Sequence, residues 1–195
     1  MTPSPENIGY AKHLANSIGF KPTVYPYYDE NKSTSIDILE LDDPLDEHVK
    51  FYGSIGLSDY PNIIEMKDGS KKNIPIELLI TGYKQYDKVA NILSTICFFI
   101  IKDQWTSQPG SVYKNMISHY YELTDMKHIL CLTPFLWEDK LENLIFGNKN
   151  IYPLLLIPIS EKELEYKLAN GSDALEELFQ KEQIDFFDLN RNSIL

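Results

Sequence analysis

Cysteine is scarce in this sequence, and so are the spacings that cysteine and histidine need to bind a metal. The 195 residues include two cysteines, Cys97 and Cys131, both in apolar surroundings. The four histidines are scattered, and no two stand four residues apart, the spacing that places two imidazoles on one helical face. We therefore expect two buried free thiols rather than a disulfide, a reducing cytoplasmic location, and neither a metal site nor a cofactor.

Long hydrophobic runs are missing too. The longest one, Val89 to Ile101, contains three polar residues and is shorter than the roughly 20 residues that a bilayer-spanning helix needs, so it predicts a buried helix. The N-terminus has no basic segment followed by an apolar one, which argues against a secretion signal. Ser4-Pro5 instead predicts a helix cap and a first helical residue.

Local motifs of enzyme chemistry are absent from the sequence. It contains no GxSxG elbow, no glycine-rich phosphate loop and no dinucleotide fingerprint. The segment IGLSD (55–59) lacks the second glycine of a nucleophile elbow, so we interpret it as a strand end with a tight backbone approach. A site assembled from distant loops, with His119 or His128 as general base, is the enzymatic alternative. We favour a protein that is not an enzyme.

Negative charge, by contrast, is in excess. The chain has 29 acidic and 18 basic residues, which gives a formal net charge of -11 at pH 7. Direct binding to nucleic acid or to an anionic membrane is disfavoured, because both attractions depend on positive surface. The composition therefore predicts that any charged partner is a basic protein.

The acids are concentrated in two segments. Residues 37–47 hold six acids and no lysine or arginine, and the last 36 residues hold nine acids against four bases. Such a run is either a solvated loop or a binding surface. On the second interpretation the predicted partner-binding residues are Asp42, Asp43, Asp46 and Glu47. In the segment TPFLWED (133–139), Phe135 and Trp137 are candidate aromatic anchors for a partner, with Trp137 as the predicted partner-binding residue, whereas the competing interpretation packs both rings in the core.

The hydrophobic periodicity predicts an α+β domain. The apolar run between Pro153 and Pro158 predicts a central strand buried on both faces. Ser160 and Glu163 have the spacing of a capping box, Asn170-Gly171 is typical of a helix end, and Ser172 offers a second cap. IDFFDL (184–189) predicts a last strand. Further strands are predicted at 24–28, 36–41, 50–57, 74–81, 126–133 and 144–146, and a further helix at 86–102. Another helix is predicted to end at Gly19, with an apolar face that contains Ile8, Ala11, Ala15 and Ile18.

Six segments, through their order and spacing, resemble the suppressor-of-fused-like family, particularly its small bacterial members. They are SIDIL (35–39), YGSIGLSDY (52–60), PIELLI (75–80), QPGSVY (108–113), MKHILCLTPFLWED (126–139) and PLLLIPISEKELEYKLANGSDALEELF (153–179). The resemblance covers about residues 8–192 of the chain. It implies one suppressor-of-fused-like domain over residues 1–195, with a mixed, largely antiparallel sheet covered by helices.

The resemblance also implies a function in binding another protein, without enzymatic activity. The small bacterial members are similar to antitoxins or immunity proteins that neutralise a polymorphic toxin, commonly a nuclease with an LXG-type delivery region. The larger animal member binds a transcription-factor peptide, partly by adding a strand to its sheet. Two hypotheses follow: an acidic protein that occludes the basic cleft of a nuclease toxin, and a peptide-binding adaptor that accepts an added strand.

Overall fold

The computed structural model describes residues 3–19, 21–44, 46–122, 124–136, 140–141 and 144–195. Its elements, in chain order, are α1 (Pro5–Ile18), β1 (Thr23–Tyr28), β2 (Ser35–Asp42), β3 (Val49–Ile55), β4 (Ile63–Glu65), β5 (Lys71–Asn73), β6 (Ile76–Tyr83), α2 (Val89–Asp103), β7 (Val112–Tyr113), β8 (Met126–Leu132), β9 (Leu144–Phe146), β10 (Lys149–Ser160), α3 (Glu161–Asn170) and α4 (Ser172–Glu182). A 3₁₀ turn at Leu57–Asp59 follows β3. The predicted α+β class is confirmed.

One mixed sheet organises the molecule. Its strand order is β1-β2-β3-β6-β10-β8-β7, and β9 pairs with the first residues of β10. β6 and β10 are parallel, and the other described pairs of this sheet are antiparallel. β4 and β5 form a separate hairpin that the sequence analysis did not predict. The mixed, largely antiparallel sheet of the predicted fold class is therefore confirmed.

Helices cover both faces of the sheet. α2 packs on the face that carries Leu78 and Leu156, and α1, α3 and α4 pack on the face that carries Leu79 and Leu155. Successive residues of a strand point to opposite faces, so β6 and β10 supply side chains to both cores at once. This double burial explains why the sequence of β10 is almost continuously apolar.

The central strand β10 is longer than the sequence predicts, because it runs through Pro153 and Pro158 instead of stopping at them. The Tyr152 amide donates toward β6, so the nitrogen of the next residue, Pro153, lies on the other side of the strand. On that side the β9 ladder ends at Ile151 and the β8 ladder begins at Leu155. Pro153 occupies the gap, where an N–H would have no acceptor.

Pro158 occupies a similar gap on the side of β6. The last registered pair between β10 and β6 is Leu156 with Ile80, so the backbone of Pro158 faces a part of the sheet where that ladder has ended. The Pro158 carbonyl accepts a hydrogen bond from Arg191 Nη2 at 3.0 Å instead. The prolines thus fit inside a central strand because neither one removes a ladder donor.

The helix ends follow the sequence with two corrections. The Ser4 cap of α1 is confirmed. The predicted apolar face is only partly right, because Ile18 is buried and Ala11 packs against the core, whereas Ile8 is exposed and Tyr10 and Leu14 carry most of the buried face. The Ser160 capping box of α3 is confirmed. Ser172 is wrong as a cap, because it is the first residue of α4 and makes no capping hydrogen bond.

The predicted last strand, IDFFDL, is wrong. The carboxylates of Asp185 and Asp188 accept hydrogen bonds from the amides of Phe187 and Asn190 at 3.0 and 2.8 Å. These local turns compete with ladder pairing, as short acidic side chains commonly do. Residues 183–195, here called the tail, therefore fold back across the domain without joining the sheet.

The two cysteines are buried in the domain, and the longest apolar run is mostly buried there. Cys97 and Cys131 are buried and free, as expected, and burial raises the pKa of both thiols. The run from Val89 to Ile101 lies within α2, as predicted. In the described part of the chain, every helix is too short or too polar to cross a bilayer.

Candidate partner-binding surface

The four predicted acidic residues lie at one end of the sheet, where Asp42 is the last residue of β2 and the other three follow in the turn to β3. Asp42 forms an ion pair with Lys84 at 2.9 Å. The Asp43 carboxylate accepts from the Asp46 amide at 3.2 Å, and the Asp46 carboxylate accepts from the His48 amide at 2.8 Å. Asp43 and Asp46 thus shape the turn, while Asp42 and Glu47 are exposed.

The tail brings further acids to the same end of the sheet. The Tyr83 hydroxyl donates to Asp185 at 2.7 Å, and the Tyr86 hydroxyl donates to Asp188. The hydrogen bond to Asp185, helped by burial and by the nearby charges of Asp185, Asp46 and Asp188, raises the pKa of Tyr83 to about 12. Tyr83 therefore lies within the electric field of both acidic segments.

Both segments together make a surface that we call the acidic end. It consists of Asp42, Asp43, Asp46, Glu47, Asp185 and Asp188. Sequence analysis noted the charge of both segments but did not predict that they meet, because the contact depends on Tyr83 at the end of β6. The Lys84 amide, which donates to the His48 carbonyl at 2.8 Å, fixes the turn to the same strand end.

The aromatic candidates gave a mixed outcome. Trp137 lies outside the described residues. Phe135 is 51% exposed and packs edge-on against Phe186, with ring centroids 5.3 Å apart, so its predicted core packing is wrong. Trp105, which the sequence analysis missed, is 43% exposed and stacks on Phe99 at 4.5 Å between ring centroids.

Strand β1 forms one edge of the sheet, where a partner could add a strand. The Asp29 amide donates to the Thr34 carbonyl at 3.0 Å across the β1–β2 turn. The two-residue period then points the backbone groups of Val24, Pro26 and Tyr28 toward the open edge. Because Pro26 has no N–H, the middle donor of this edge is missing, which is a common way to discourage strand pairing.

The IGLSD segment is a strand end, as interpreted. Gly56 has a φ of 94°, and a Cβ there would lie 3.2 Å from Asn7 Nδ2. The Ser58 hydroxyl donates to the buried Glu77 carboxylate at 2.7 Å. Three backbone amides of the same turn and the Ser54 hydroxyl also donate to Glu77. Ser58 therefore has the geometry of a structural donor.

The histidines proposed for an enzymatic site differ in exposure. His119 is exposed. His128 is 1% exposed; its Nδ1 accepts from the Asn115 amide at 2.8 Å, and its Nε2 lies 3.0 Å from a Glu161 oxygen. Through its two ring nitrogens, His128 thus connects the loop at Asn115 with Glu161, the first residue of α3. Among the residues that the structure describes, no group of three or more His, Cys, Asp and Glu side chains could hold a metal ion.

Comparisons with known proteins agree on the family and on the fold. The model of the Suppressor of fused protein (SUFU) family matches residues 32–192. A relative named Immunity protein YqcF, from Bacillus subtilis (strain 168), is 42% identical over 190 residues, which cover 97% of each chain. A SUFU homolog from Neisseria gonorrhoeae has a TM-score of 0.72 at 17% identity, with 97% of both chains covered.

The animal protein shares the fold over part of its length. Drosophila Suppressor of Fused has a TM-score of 0.67 at 15% identity, and the match covers 98% of this chain but 51% of that one. This chain therefore spans about half the length of that protein. Since the family model covers most of the sequence and a full-length relative is 42% identical, the chain belongs to the suppressor of fused family.

Proposed function

We propose that this protein is an immunity protein that binds and neutralises a cognate toxin. The observation that carries the proposal is the 42% identity to Immunity protein YqcF over 97% of both chains. Binding without catalysis is consistent with the site geometry, since Ser58 and His128 both serve as structural ties. The two buried free thiols support a cytoplasmic location, and we propose residues 1–195 as one functional domain.

The acidic end is the surface we propose for the toxin. A nuclease must present positive charge to hold a phosphate backbone, and an acidic protein that covers that cleft would imitate nucleic acid. Complementary charge would also accelerate encounter of the two proteins. This argument supports a nuclease as the toxin, with Asp42, Asp43, Asp46 and Glu47 as contact residues and Trp137 as an anchor.

The second candidate function is a peptide-binding adaptor that accepts a strand on β1. Val24, Tyr25 and Tyr28 are all more than two-fifths exposed, which favours contact with a partner. Pro26 weighs against strand addition at this edge. Strand pairing relies on main-chain hydrogen bonds and so should resist added salt, whereas association through the acidic end should slow as salt screens the charges.

Co-expression tests the immunity function directly. The toxin encoded in the adjacent reading frame is expressed with and without this protein, and growth is measured. We expect cells that make both proteins to grow and cells that make the toxin alone to die. Death in the presence of excess protein would contradict the proposal.

Charge reversal tests the acidic end. Asp42→Lys with Glu47→Lys alters exposed charges and spares the carboxylates that shape the turn. The matched control, Glu30→Lys with Glu65→Lys, changes exposed acids outside the acidic end. Glu30 lies beyond the other end of β2, whose eight residues span roughly 26 Å, and Glu65 lies on the separate β4–β5 hairpin. We expect the first pair to slow association about tenfold at low salt with little effect on dissociation, measured by surface plasmon resonance. Equal association rates for both pairs would make the acidic run a solvated loop.

A further inference from the structure

A groove of about 540 Å³ opens between α4, the tail and the end of β8. This volume is within the range of about 300–1,000 Å³ that ligand pockets occupy. The floor of the groove is apolar, with Leu132, Ile157 and Phe179 all buried. Phe135 and Phe186 form an aromatic wall, in which the rings meet edge to face. The groove thus offers a preformed apolar site with half of Phe135 exposed.

One carboxylate faces this apolar space. Among the described residues that line the groove, Glu176 is the only charged one. It is half-buried, and burial, together with the nearby charge of Asp173, raises the pKa of Glu176. No described cation pairs with it. A carboxylate that is partly removed from water and has no counter-ion is stabilised by any cation that enters the groove.

The tail already shows this combination of groups within the molecule. Arg191 is held by Glu163 through two hydrogen bonds of 2.6 and 2.8 Å, and its guanidinium lies 5.6 Å from the ring centroid of Phe179. Phe179 also lies on the floor of the groove. The fold therefore places the Glu163 carboxylate and the Phe179 ring around the Arg191 guanidinium. In the neighbouring groove, Glu176 lies near the rings of Phe135 and Phe186, and no described guanidinium contacts them.

We propose that this groove binds an arginine side chain of the partner protein. The guanidinium pairs with Glu176, and its planar face stacks on the half-exposed ring of Phe135, which Phe186 supports edge to face. Arginine fits better than lysine, because a guanidinium is planar, is weakly hydrated and stacks on aromatic rings. The inference rests on the proposed function, since a basic toxin supplies the arginine, and it assigns a specific anchor where the acidic end supplies long-range attraction.

Binding measurements with matched variants test the groove. The toxin domain encoded in the adjacent reading frame is titrated calorimetrically into the wild type, Glu176→Gln, Phe135→Ala and the control Glu177→Gln, which removes the same charge from an exposed neighbouring position on α4. We expect the first two variants to raise Kd at least tenfold and the control to change it less than twofold. Unchanged melting temperatures establish that the variants fold.

A small probe separates failure of the groove from failure of the proposed function. Arginine amide, lysine amide and citrulline amide, each with its α-amino group acetylated, are titrated while the backbone amide signals of Gln180 and Gln183 are followed by NMR, and citrulline is the neutral isostere of arginine. We expect saturable shifts with arginine amide, smaller shifts with lysine amide, and none with citrulline amide or with Glu176→Gln. If the wild type binds the toxin domain but Glu176→Gln and Phe135→Ala bind it equally well, the groove proposal is wrong. If the wild type does not bind the toxin domain, the immunity function fails, and the response to arginine amide alone decides whether the groove takes a guanidinium.

Discussion

Glu163 and Glu77 are both fully buried carboxylates, but they are stabilised in different ways. Glu163 lies in the first turn of α3 and meets the guanidinium of Arg191, the only arginine in the chain. Glu77, on β6, accepts its hydrogen bonds from hydroxyl and amide groups. The first carboxylate is balanced by a cation, and the second is balanced by dipoles.

This difference separates two structural tasks. Through Arg191, Glu163 fastens the tail, which carries Asp185 and Asp188 to the acidic end and Phe186 to the groove beside α4. Glu77 fixes the 3₁₀ turn after β3. Dipoles offset the desolvation of Glu77 only in part, and burial raises its pKa to about 7. The two sites should therefore respond differently to substitution and to pH.

The largest effect is expected from Arg191→Met. The substitution leaves the Glu163 carboxylate buried without its cation, which should lower the free energy of unfolding by about 3–5 kcal/mol. Chemical denaturation with urea measures it. Because the tail is then released, the proposed toxin binding should weaken as well, although Arg191 is buried and lies behind Phe179 on the floor of the groove.

Lys181→Met is the matched control, since Lys181 is exposed and lies 3.8 Å from Glu182. We expect that change to alter stability by less than about 0.5 kcal/mol. If the two variants unfold at similar urea concentrations, the cation does not stabilise Glu163, and the contrast between the two carboxylates is lost.

The next effect is a pH dependence that Glu77 should produce. Its pKa in the folded protein is about 7, above its ordinary value of 4.5, so the folded state binds more protons than the unfolded state between those pH values. The stabilising contribution is complete below about pH 4.5 and is lost as pH rises through 7, by about 3 kcal/mol in total. Urea unfolding at pH 5 and at pH 8 measures the loss.

Glu77→Gln isolates this contribution from the other titrating groups. The amide cannot ionise, so the difference between wild-type and variant stability should shrink as pH rises from 5 to 8. A difference that stays constant over this range would mean that Glu77 does not titrate there, and that its dipoles stabilise the charge as fully as Arg191 does for Glu163.

The smallest effect concerns the Ser160 cap of α3, in which Glu163 takes part. Ser160 Oγ accepts from the Glu163 amide at 3.1 Å, so Ser160→Ala should cost about 1 kcal/mol. Ser172→Ala is the control, because Ser172 makes no cap at the start of α4. Thermal unfolding of both variants measures the difference. If both variants lose the same stability, the capping hydrogen bond contributes no stability to α3 beyond that of the Glu163–Arg191 pair.

Local patterns of the sequence were sufficient for the elements that local chemistry determines. The Ser160–Glu163 box started a helix where its spacing predicted one, and Gly19 ended α1. The prolines of β10 were misinterpreted, because their fit depends on where the ladders of β8, β9 and β6 stop. A lone strand sequence contains no information on those neighbouring ladders.

The candidate site was less predictable, because it depends on contacts between distant segments. Asp185 reaches the acidic end only through Tyr83, 102 positions away in the chain. Phe135 and Glu176 share a groove that exists only because the tail folds back beside α4. Charge counts could indicate an acidic protein, but they could not indicate which acids meet or which one faces an apolar space.

The position of β10 in the sheet also has a consequence for synthesis. Residues 149–160 lie between β6 and β8, so the two halves of the sheet cannot join until the ribosome has made most of the chain. Pairing between such distant segments is slow in general, because a long loop must close first. A chain that ends before residue 149 would therefore lack the strand that joins the two halves, and its sheet would stay incomplete.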